Sequence, residues 1–358
     1  MKRSLRFITA ATLALLTSGG LLLAQVPTMA AHFIKVGQAD ATLLEFPCGA
    51  LLIDAGAQDD QFANALVQYI AGVFTNRPDL HNTLEAIYIT HPHFDHTYAL
   101  KKVAQAFTVK RYIDNGQTTG SGIPNVKWIR AFAVTNHIVT RTILNSEVMA
   151  EPHGKGITDE IIDPLKCDKC DPVITIFSGQ WDTEPDWSNT ELNDKNNHSL
   201  VIRVDFGQSS FFFTGDMETT AISSLLGYYT PPANCSELFS ADVWHVGHHG
   251  SDNATTAELL AAVHPALAII SVGHWDYGKN EAYRYTTWDF GHPRKTTIDL
   301  LSASIQGTRS DRPRVKVATA ARQFSSYTIK KKIYAIDWDG NVIVRASLDH
   351  DVQVSINN

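Results

Sequence analysis

The sequence has few cysteines, fewer basic than acidic side chains, and no long apolar run after its first thirty residues. Only 4 of its 358 residues are cysteine. Lys and Arg number 30 against 37 Asp and Glu, so the net charge is −7. Because affinity for a polyanion depends on Lys and Arg displacing counterions, this balance excludes a protein that coats DNA. The apolar share of 44% excludes a disordered or collagen-like chain and predicts a folded protein with a large core.

The four cysteines are Cys48, Cys167, Cys170 and Cys235. A structural zinc knuckle normally needs two C-x-x-C pairs, and this chain has one. That pair lies in a charged loop rather than at the start of a helix, which disfavours a thioredoxin-like redox motif. In an oxidising compartment, disulfides are the simplest interpretation, with Cys167 and Cys170 joined to each other or each to another cysteine.

Residues 1–31 have the pattern of a secretory signal peptide. Basic residues precede an apolar run, and small residues close the segment. An uncleaved membrane anchor is the alternative, but glycines interrupt the stretch. No later segment approaches the roughly 20 apolar residues that a spanning helix needs. We therefore predict a secreted or periplasmic protein with no membrane span after signal removal, and a single domain over residues 32–358.

Predicted strands and helices alternate along this domain. Short apolar runs separated by Gly and Pro predict strands, and apolar residues at helical spacing predict a helix over residues 59–74. Such alternation is typical of an α/β fold. Residues from 114 to about 170 are rich in Gly, Thr, Asn and Asp, and we interpret them as an insertion able to cover a site. Residues 332–346 predict two strands joined by a turn at Asp339-Gly340-Asn341.

The strongest chemical signal is the motif His91-x-His93-x-Asp95-His96, directly after a predicted strand. Neither a helix nor a strand places all four side chains on one face, but a loop can make them converge. Imidazole and carboxylate groups are ligands of zinc, manganese and iron. Because adjacent residues point in different directions, Asp95 and His96 could serve two metals.

Two later strands end in similar side chains. One ends on Asp216, at the strand end where α/β sheets usually bind ligands. Taken alone, Asp216 would more often be the N-cap of the following helix. The other strand runs into His248 and His249, and a histidine pair in this position favours a binding site over buried structural histidines.

Taken together, the three clusters resemble the metallo-β-lactamase superfamily, whose fold is a four-layer αββα sandwich with a metal site along one edge. The most similar variety is the hydrolase domain of the bacterial competence channel protein for DNA uptake, with its stand-alone relatives. The phosphorylcholine esterase of cell-wall teichoic acid has a similar core. Further segments that carry the resemblance are residues 32–41, 197–201, 277–278, 291–293 and 339–340.

The resemblance implies a role for each residue of these clusters. His91 and His93 match the ligands of a first metal. Asp95 and His96 match the ligands of a second metal, and Asp216 matches the carboxylate that bridges both. An aspartate rather than a cysteine in the bridging position disfavours a true β-lactamase of the commonest type.

Other histidines receive roles from the same comparison. His249 matches the last metal ligand, so His248 is left to contact a substrate phosphate or the leaving group. His292 would face the same pocket. His198 stands where a third ligand of the first metal often occurs, although its spacing differs, and a structural loop histidine is an equal alternative. Asp54 matches a position that supports the metal-binding loop by accepting a hydrogen bond, and a turn-forming aspartate is the alternative there.

The implied function is an exported hydrolase with two divalent metal ions. Zinc is the expected metal, and manganese is the alternative. It would cleave a phosphoester or phosphodiester with a metal-bound hydroxide. A carboxylic ester, lactone or amide hydrolase on the same metals, and a non-catalytic binding module with the same fold, are the alternatives. The substrate is expected to be a small or polymeric phosphoester. Nucleic acid is possible as a substrate, but the charge does not favour it.

Overall fold

The computed structural model describes residues 28–150, 154–168, 170–182, 186–229, 238–281 and 286–357. Two large β-sheets dominate it. The strands are β1 (Thr28–Phe33), β2 (Thr42–Phe46), β3 (Gly49–Ile53), β4 (Thr83–Leu84), β5 (Ala86–Ile89), β6 (Thr108–Val109), β7 (Arg111–Asp114), β8 (Val139–Thr142), β9 (Val173–Ser178), β10 (Val201–Phe206), β11 (Ser209–Phe213), β12 (Val243–His245), β13 (Leu267–Ile270), β14 (Arg314–Ala320), β15 (Gln323–Thr328), β16 (Ile333–Ala335), β17 (Asn341–Ser347) and β18 (Val352–Asn357).

Helices connect many of these strands, and short 3₁₀ turns occur at Pro78–Leu80, Asn196–His198 and His248–Gly250. The α-helices are α1 (Asp60–Asn76), α2 (Phe94–Thr97), α3 (Leu100–Ala106), α4 (Ile123–Asn136), α5 (Asn145–Ala150), α6 (Asn189–Asn193), α7 (Thr219–Tyr229), α8 (Ala257–Val263), α9 (Thr287–Phe290), α10 (Lys295–Ser304) and α11 (Ile336–Asp339).

The two sheets pack face to face, and helices cover their outer faces. The first sheet has the order β18-β17-β1-β2-β3-β5-β7-β8, and the second has the order β16-β13-β12-β11-β10-β9. Strand β11 shows how alternation builds the layers: Phe211 and Phe213 belong to the core between the sheets, and Phe212 packs with the helices outside the second sheet. The arrangement confirms the predicted α/β fold with αββα layers.

Helix α1 covers the first sheet with one apolar face. Asp59 caps its N-terminus, where its Oδ1 accepts hydrogen bonds from the backbone N–H groups of Gln61 and Phe62 at 2.9 and 3.0 Å. Its buried residues recur every three or four positions, as burial of one helical face requires. The prediction of a helix over residues 59–74 is therefore confirmed; the buried positions are Ala63, Leu66, Ile70 and Phe74.

The predicted start of the domain at residue 32 is wrong. Strand β1 begins at Thr28, and its first residues already pair with β17, while Ala30 and Ala31 also pair with β2. Met29 and Ala31 are buried in the core. The folded domain therefore includes residues 28–31, and the remainder of the predicted signal peptide lies outside the described residues.

The predicted insertion from residue 114 is also corrected in its first part. Helix α4 and strand β8 continue the alternating pattern, because β8 adds to the first sheet parallel to β7. Polar composition misled the prediction, since β8 is a mostly exposed edge strand that needs few apolar side chains.

The segment that follows is fastened to the first sheet. A disulfide joins Cys48 to Cys167, and the Tyr88 hydroxyl donates a hydrogen bond to the Ile162 carbonyl. Cys170 is buried, and Cys235 lies outside the described residues.

The predicted hairpin near the C-terminal end is not formed. Strand β16 pairs with β13 in the second sheet, whereas β17 pairs with β1 and β18 in the first. The turn at Asp339-Gly340-Asn341 thus carries the chain from one sheet to the other. Among the described residues, no helix combines the length and apolar character needed to cross a membrane.

Candidate metal centre

The histidine-rich motif spans the loop after β5 and the short helix α2, with His91 and His93 in the loop and Asp95 and His96 in the helix. This loop follows the carboxyl end of a buried strand, so its side chains are held against the sheet edge. His91 is fully buried, and His93 is partly buried. His91 Nε2 and His93 Nδ1 are 3.0 Å apart. Two nitrogens that bind one cation tetrahedrally at 2.0–2.1 Å are about 3.3 Å apart, so this pair fits a shared cation.

Asp216 occupies the middle of the cluster. Its backbone N–H donates to Ser199 Oγ at 3.0 Å, and its Oδ1 accepts from the His248 N–H at 3.1 Å. These contacts orient Oδ2 toward the histidines, where it lies 3.2 Å from His96 Nε2, 3.7 Å from His249 Nε2 and 3.8 Å from His91 Nε2. One carboxylate oxygen among several imidazoles has the geometry of a bridging ligand.

His96 is held from both sides. Its Nδ1 lies 2.7 Å from Asp54 Oδ2, and Asp54 also accepts hydrogen bonds from the N–H and hydroxyl of Thr90, both at 2.8 Å. His96 Nε2 is buried without a hydrogen-bond partner among the described residues. A metal ligand whose other ring nitrogen is fixed by a carboxylate is a common arrangement, and it gives Asp54 the supporting contact that the resemblance implied.

His249 completes this side of the cluster. It has a left-handed backbone, with φ of 54°, which only a few per cent of non-glycine residues adopt. Its Nδ1 donates to the Ser271 carbonyl at 2.7 Å, and its Nε2 lies 3.1 Å from Asp95 Oδ2. One ligand atom from each of four residues falls within a 4.8 Å spread; these residues are Asp95, His96, Asp216 and His249.

Electrostatics divide the histidines into two kinds. Burial opposes protonation of His249, but the charge of Asp216 and the hydrogen bond with Asp95 outweigh burial and raise its pKa to about 9. His96 likewise has a raised pKa despite burial, because Asp216 and Asp54 flank it. Burial lowers the pKa of His91, with help from the neighbouring histidines. His91 is thus neutral, the form in which an imidazole binds a metal.

The carboxylates show the matching shifts. Burial would raise the pKa of Asp216, but His96 and His249 hold it well below its ordinary range. Asp95 also keeps a low pKa against burial, through its hydrogen bond with His249. Both carboxylates are therefore ionised and available as metal ligands at neutral pH.

His198 is not placed as a ligand, which corrects its assignment to the first metal. Its Nδ1 accepts a hydrogen bond from the Trp181 backbone N–H at 3.0 Å, and its Nε2 donates to the Leu192 carbonyl at 2.8 Å. The ring is buried beside Trp187, with centroids 6.0 Å apart. Both nitrogens are used by the backbone, so the alternative of a structural loop histidine is the one observed.

His248 and His292 face the same cavity as the cluster. Their ring centroids are 5.4 Å apart, and His248 Nε2 lies 4.0 Å from Asp216 Oδ2. His292 is buried, and its Nδ1 has no hydrogen-bond partner in the described part of the chain. These positions are adjacent to the cluster and outside its group of four donors.

Several polar residues of the site were not assigned a role from the sequence. Asp40 lies beneath the cluster, 3.4 Å from both His245 Nε2 and Ser271 Oγ, and burial with nearby Asp54 raises its pKa to about 8. Asp40 stands in the opening segment that carried the resemblance, which was the available signal. Glu218 accepts a hydrogen bond from Asn196 at 2.9 Å on the cavity wall, and no sequence motif marked this pair.

The cavity over the cluster has a volume of about 1240 Å³. Its wall carries the exposed rings of Phe94 and Phe290, and Ser121 from the loop before α4. Charged side chains on the wall are mainly acidic, with one arginine among the described residues: Asp59, Asp95, Asp194, Asp216, Glu218, Asp252, Glu281 and Arg294.

The family model of the metallo-beta-lactamase superfamily matches residues 34–274, more than half of the chain. The chain belongs to the metallo-beta-lactamase superfamily. The matched range contains the histidine motif, Asp216 and His249. Superfamily members bind divalent metals and are generally hydrolases, and the donor set here fits such ions.

Curated relatives of this superfamily member include competence and recombination proteins. Recombination protein 2 of Haemophilus influenzae is 24% identical over 302 residues, 84% of this chain and 31% of that protein. ComE operon protein 3 of Bacillus subtilis is 35% identical over 118 residues, 33% of this chain and 13% of that protein. Competence protein ComA of Neisseria gonorrhoeae is 35% identical over 115 residues, 32% and 15% respectively. The chain spans less than a third of the length of each of them.

Proposed function

We propose that this chain is an exported hydrolase that cleaves a phosphoester or phosphodiester with two divalent cations of one kind, with zinc as the favoured metal and manganese as the alternative. The observation that carries the proposal is the position of Asp216 Oδ2 among four imidazoles, within 4.0 Å of each. A pair of bound divalent cations supplies Lewis acidity toward a phosphoryl oxygen and activates water at neutral pH.

Each side chain around the cluster would have its own role. The Asp216 carboxylate places a negative charge at the centre of the cluster. Asp54 fixes the ring of His96, and the Ser271 carbonyl fixes the ring of His249. His248 stands where it can reach a substrate oxygen, since one of its edges faces Asp216 and the other lies 3.4 Å from Glu218. We propose that His248 and His292 bind the phosphoryl group or the leaving group.

The acidic cavity wall favours a compact phosphoester as the substrate over a long polyanion such as a nucleic-acid strand. Beyond Asp95 and Asp216, five further carboxylates line the cavity against one arginine, counting the described residues alone. A strand with several phosphates would meet this wall with like charge at every step. Because the relatives include competence and recombination proteins, nucleic acid is the second candidate substrate. In that case a single phosphodiester at the end of a strand would have to enter the centre.

We also propose a secreted or periplasmic location, which rests on the basic and apolar pattern of the first residues. Such a location is compatible with the Cys48–Cys167 disulfide, since disulfides persist in oxidising compartments.

The test is hydrolysis by the metal-loaded protein of bis(p-nitrophenyl) phosphate, p-nitrophenyl phosphate, a short single-stranded oligonucleotide and p-nitrophenyl acetate. We expect cleavage of a phosphoester, and a loss of roughly a thousandfold in kcat/KM for His93→Ala and for Asp216→Asn, which is about 4 kcal/mol of transition-state stabilisation. Asp349→Asn, an exposed change outside the cavity, is the matched control and should leave the rate unchanged.

Cleavage of the carboxylic ester alone would favour the alternative hydrolase. Equal rates in the wild type and both variants, with no phosphoester cleaved, would contradict the proposal.

A further inference from the structure

We infer that one face of the β14–β15 hairpin is a docking surface for a membrane of anionic phospholipid. The hairpin belongs to the segment of residues 309–332, which holds eight of the chain's 30 Lys and Arg residues and one of its 37 Asp and Glu residues. The segment therefore carries a charge of +7 within a chain whose net charge is −7. This inference does not depend on the proposed hydrolysis.

The hairpin has one buried face and one exposed face. Val315 and Val317 of β14 are buried in the core outside the second sheet. Arg314 and Lys316 alternate with them along the strand and are exposed. Because successive strand residues point to opposite faces, the two cations share the face that is turned away from the core.

Two more cations flank this face. The Ile329 N–H donates to the Pro313 carbonyl at 3.0 Å, which continues the pairing of the two strands beyond the end of the ladder. Arg312 and Lys330 come next, one on each side of the hairpin, and both are exposed. We call this surface the basic face, and its cations are Arg312, Arg314, Lys316 and Lys330.

The charges of the basic face are not neutralised within the protein. Among the described residues, none of its four cations makes an ion pair, and the acids beside the segment already have other partners. Asp311 pairs with Arg309 at 2.5 Å. Asp289 pairs with Arg322 at 2.7 Å. The basic face therefore keeps a positive potential that attracts an external anionic surface.

An aromatic cluster adjoins the basic face. Phe324 of β15 stacks on Trp288 with ring centroids 5.6 Å apart, and both rings contact Trp275. All three side chains are partly exposed, and Lys316 Nζ lies 5.7 Å from the centre of the Trp275 ring. Tryptophan beside lysine is typical of protein surfaces at a membrane–water interface, where the ring and the charged group both find a suitable environment.

The arrangement of the rings favours a lipid surface over a nucleic-acid strand. Proteins bind single strands by stacking the bases on open aromatic faces. Here Trp288 is stacked on Phe324, and Lys279 Nζ lies over the rings of Trp288 and Trp275 at 5.0 and 5.2 Å. A lipid surface needs no stacking, because its headgroups meet the cations and its interfacial layer meets the edges of the rings.

The experiment measures, by flotation, how the full-length protein partitions onto two kinds of vesicle: phosphatidylcholine alone, and phosphatidylcholine mixed with phosphatidylglycerol. The readout is the ratio of the two partition coefficients, in which any contribution of the first 27 residues, common to every variant, cancels. We expect the mixed vesicles to be favoured by at least about tenfold, because several Lys and Arg residues act together near an anionic surface. The preference should disappear in 1 M salt, where the screening length is about 3 Å.

The combined variant Arg314→Gln, Lys316→Gln and Lys330→Gln should lower the ratio by at least about tenfold. In the described part of the chain, none of these residues lines the metal cavity, so the centre stays intact. Exchange of the same three residues between Arg and Lys keeps the charge and should keep the ratio, since a lipid surface responds to charge rather than to the shape of the cation.

The matched control is the combined variant Lys127→Gln, Lys155→Gln and Lys166→Gln. It removes the same charge from exposed positions on other segments, so its ratio should stay within about twofold of the wild type. An equal loss in this control would overturn the assignment to the hairpin. If the neutral hairpin variant does not fold, the wild-type ratio and its salt dependence decide.

A wild-type protein without preference for the mixed vesicles would overturn the inference. Binding of a single-stranded oligonucleotide, measured by fluorescence anisotropy, is the competing outcome. If the wild type binds the oligonucleotide, shows no lipid preference, and loses that binding in the neutral hairpin variant, the basic face is a nucleic-acid interface and the inference is wrong.

Discussion

At the residue scale, the centre pairs carboxylates of low pKa with imidazoles of high pKa. Asp216 and His249 are the clearest example, since each stabilises the charged form of the other across 3.7 Å in a buried place. In the metal-free protein at pH 7, His249 and His96 are therefore protonated. A cation that takes their nitrogens must displace these protons, so metal affinity depends on pH.

The expected result is release of about two protons when Zn²⁺ binds to the nitrogens of His96 and His249 at pH 7. The pKa of His249 is raised to about 9, so the proton is fully bound at pH 7, and release should diminish as the pH rises through that value. Apparent affinity should accordingly increase with pH below 9. Calorimetry in buffers of different ionisation enthalpy measures the proton count. His350→Gln, at an exposed histidine outside the cavity, should release the same number, and a wild-type value near zero would contradict the account.

At the element scale, strand β1 decides whether residues 28–31 belong to the folded domain. It lies between β17 and β2 in the first sheet, so its residues make ladder hydrogen bonds on both sides. The apolar end of the predicted signal peptide and the apolar start of this strand look alike in sequence, because both are short runs of small and apolar residues. Pairing with strands from the far end of the chain distinguishes them, and it assigns Thr28–Phe33 to the sheet.

A shortened chain tests this boundary. A variant that begins at Thr28 should unfold in urea at the same midpoint as one that keeps a few residues before it. A variant that begins at His32 loses the buried side chains of Met29 and Ala31 and four residues of ladder, so its free energy of unfolding should fall by at least about 3 kcal/mol. Equal midpoints for the variant that begins at Thr28 and the variant that begins at His32 would show that residues 28–31 do not belong to the core.

At the scale of the whole molecule, the excess of negative charge repels polyanions. The chain carries a net charge of −7, and the cavity wall repeats that excess locally. Field lines from a wall of one sign are focused in a cavity, so the wall affects an approaching ligand more than the same charges would on a convex surface. The charge of the wall should therefore allow compact phosphodiesters to bind in the cavity and weaken the binding of nucleic-acid strands.

Neutralising two wall residues should relieve this exclusion. Asp252→Asn combined with Glu281→Gln is expected to lower the inhibition constant of a short single-stranded oligonucleotide, measured against bis(p-nitrophenyl) phosphate, by about threefold to tenfold. The gain should vanish in 1 M salt, where the screening length is about 3 Å. Glu160→Gln with Asp349→Asn removes the same charge outside the cavity and should change little. An equal gain from that control pair would contradict a role for the wall.

Much of the metal centre could be predicted from the sequence because its residues follow strands. A strand end fixes where the next side chain can lie, so the histidine motif, Asp216 and His249 had to meet once the strands formed two facing sheets. The prediction for His198 failed for the opposite reason. Its orientation depends on backbone groups of a loop and a short helix, at Trp181 and Leu192, whose positions no local pattern encodes.

The sequence by itself determined the α/β class and the residue types of the centre, because hydrophobic alternation and the residues after each strand are local properties. The four layers were implied by the family resemblance. The tertiary structure alone decided that β16 and β17 lie in different sheets, that β8 extends the first sheet, and that residues 28–31 belong to it. It also decided which histidines lie in the cluster around Asp216 and which, like His198, are held by backbone groups. Each of these depends on partners distant in the chain, and hydrogen bonds between distant segments leave no periodic trace in the sequence.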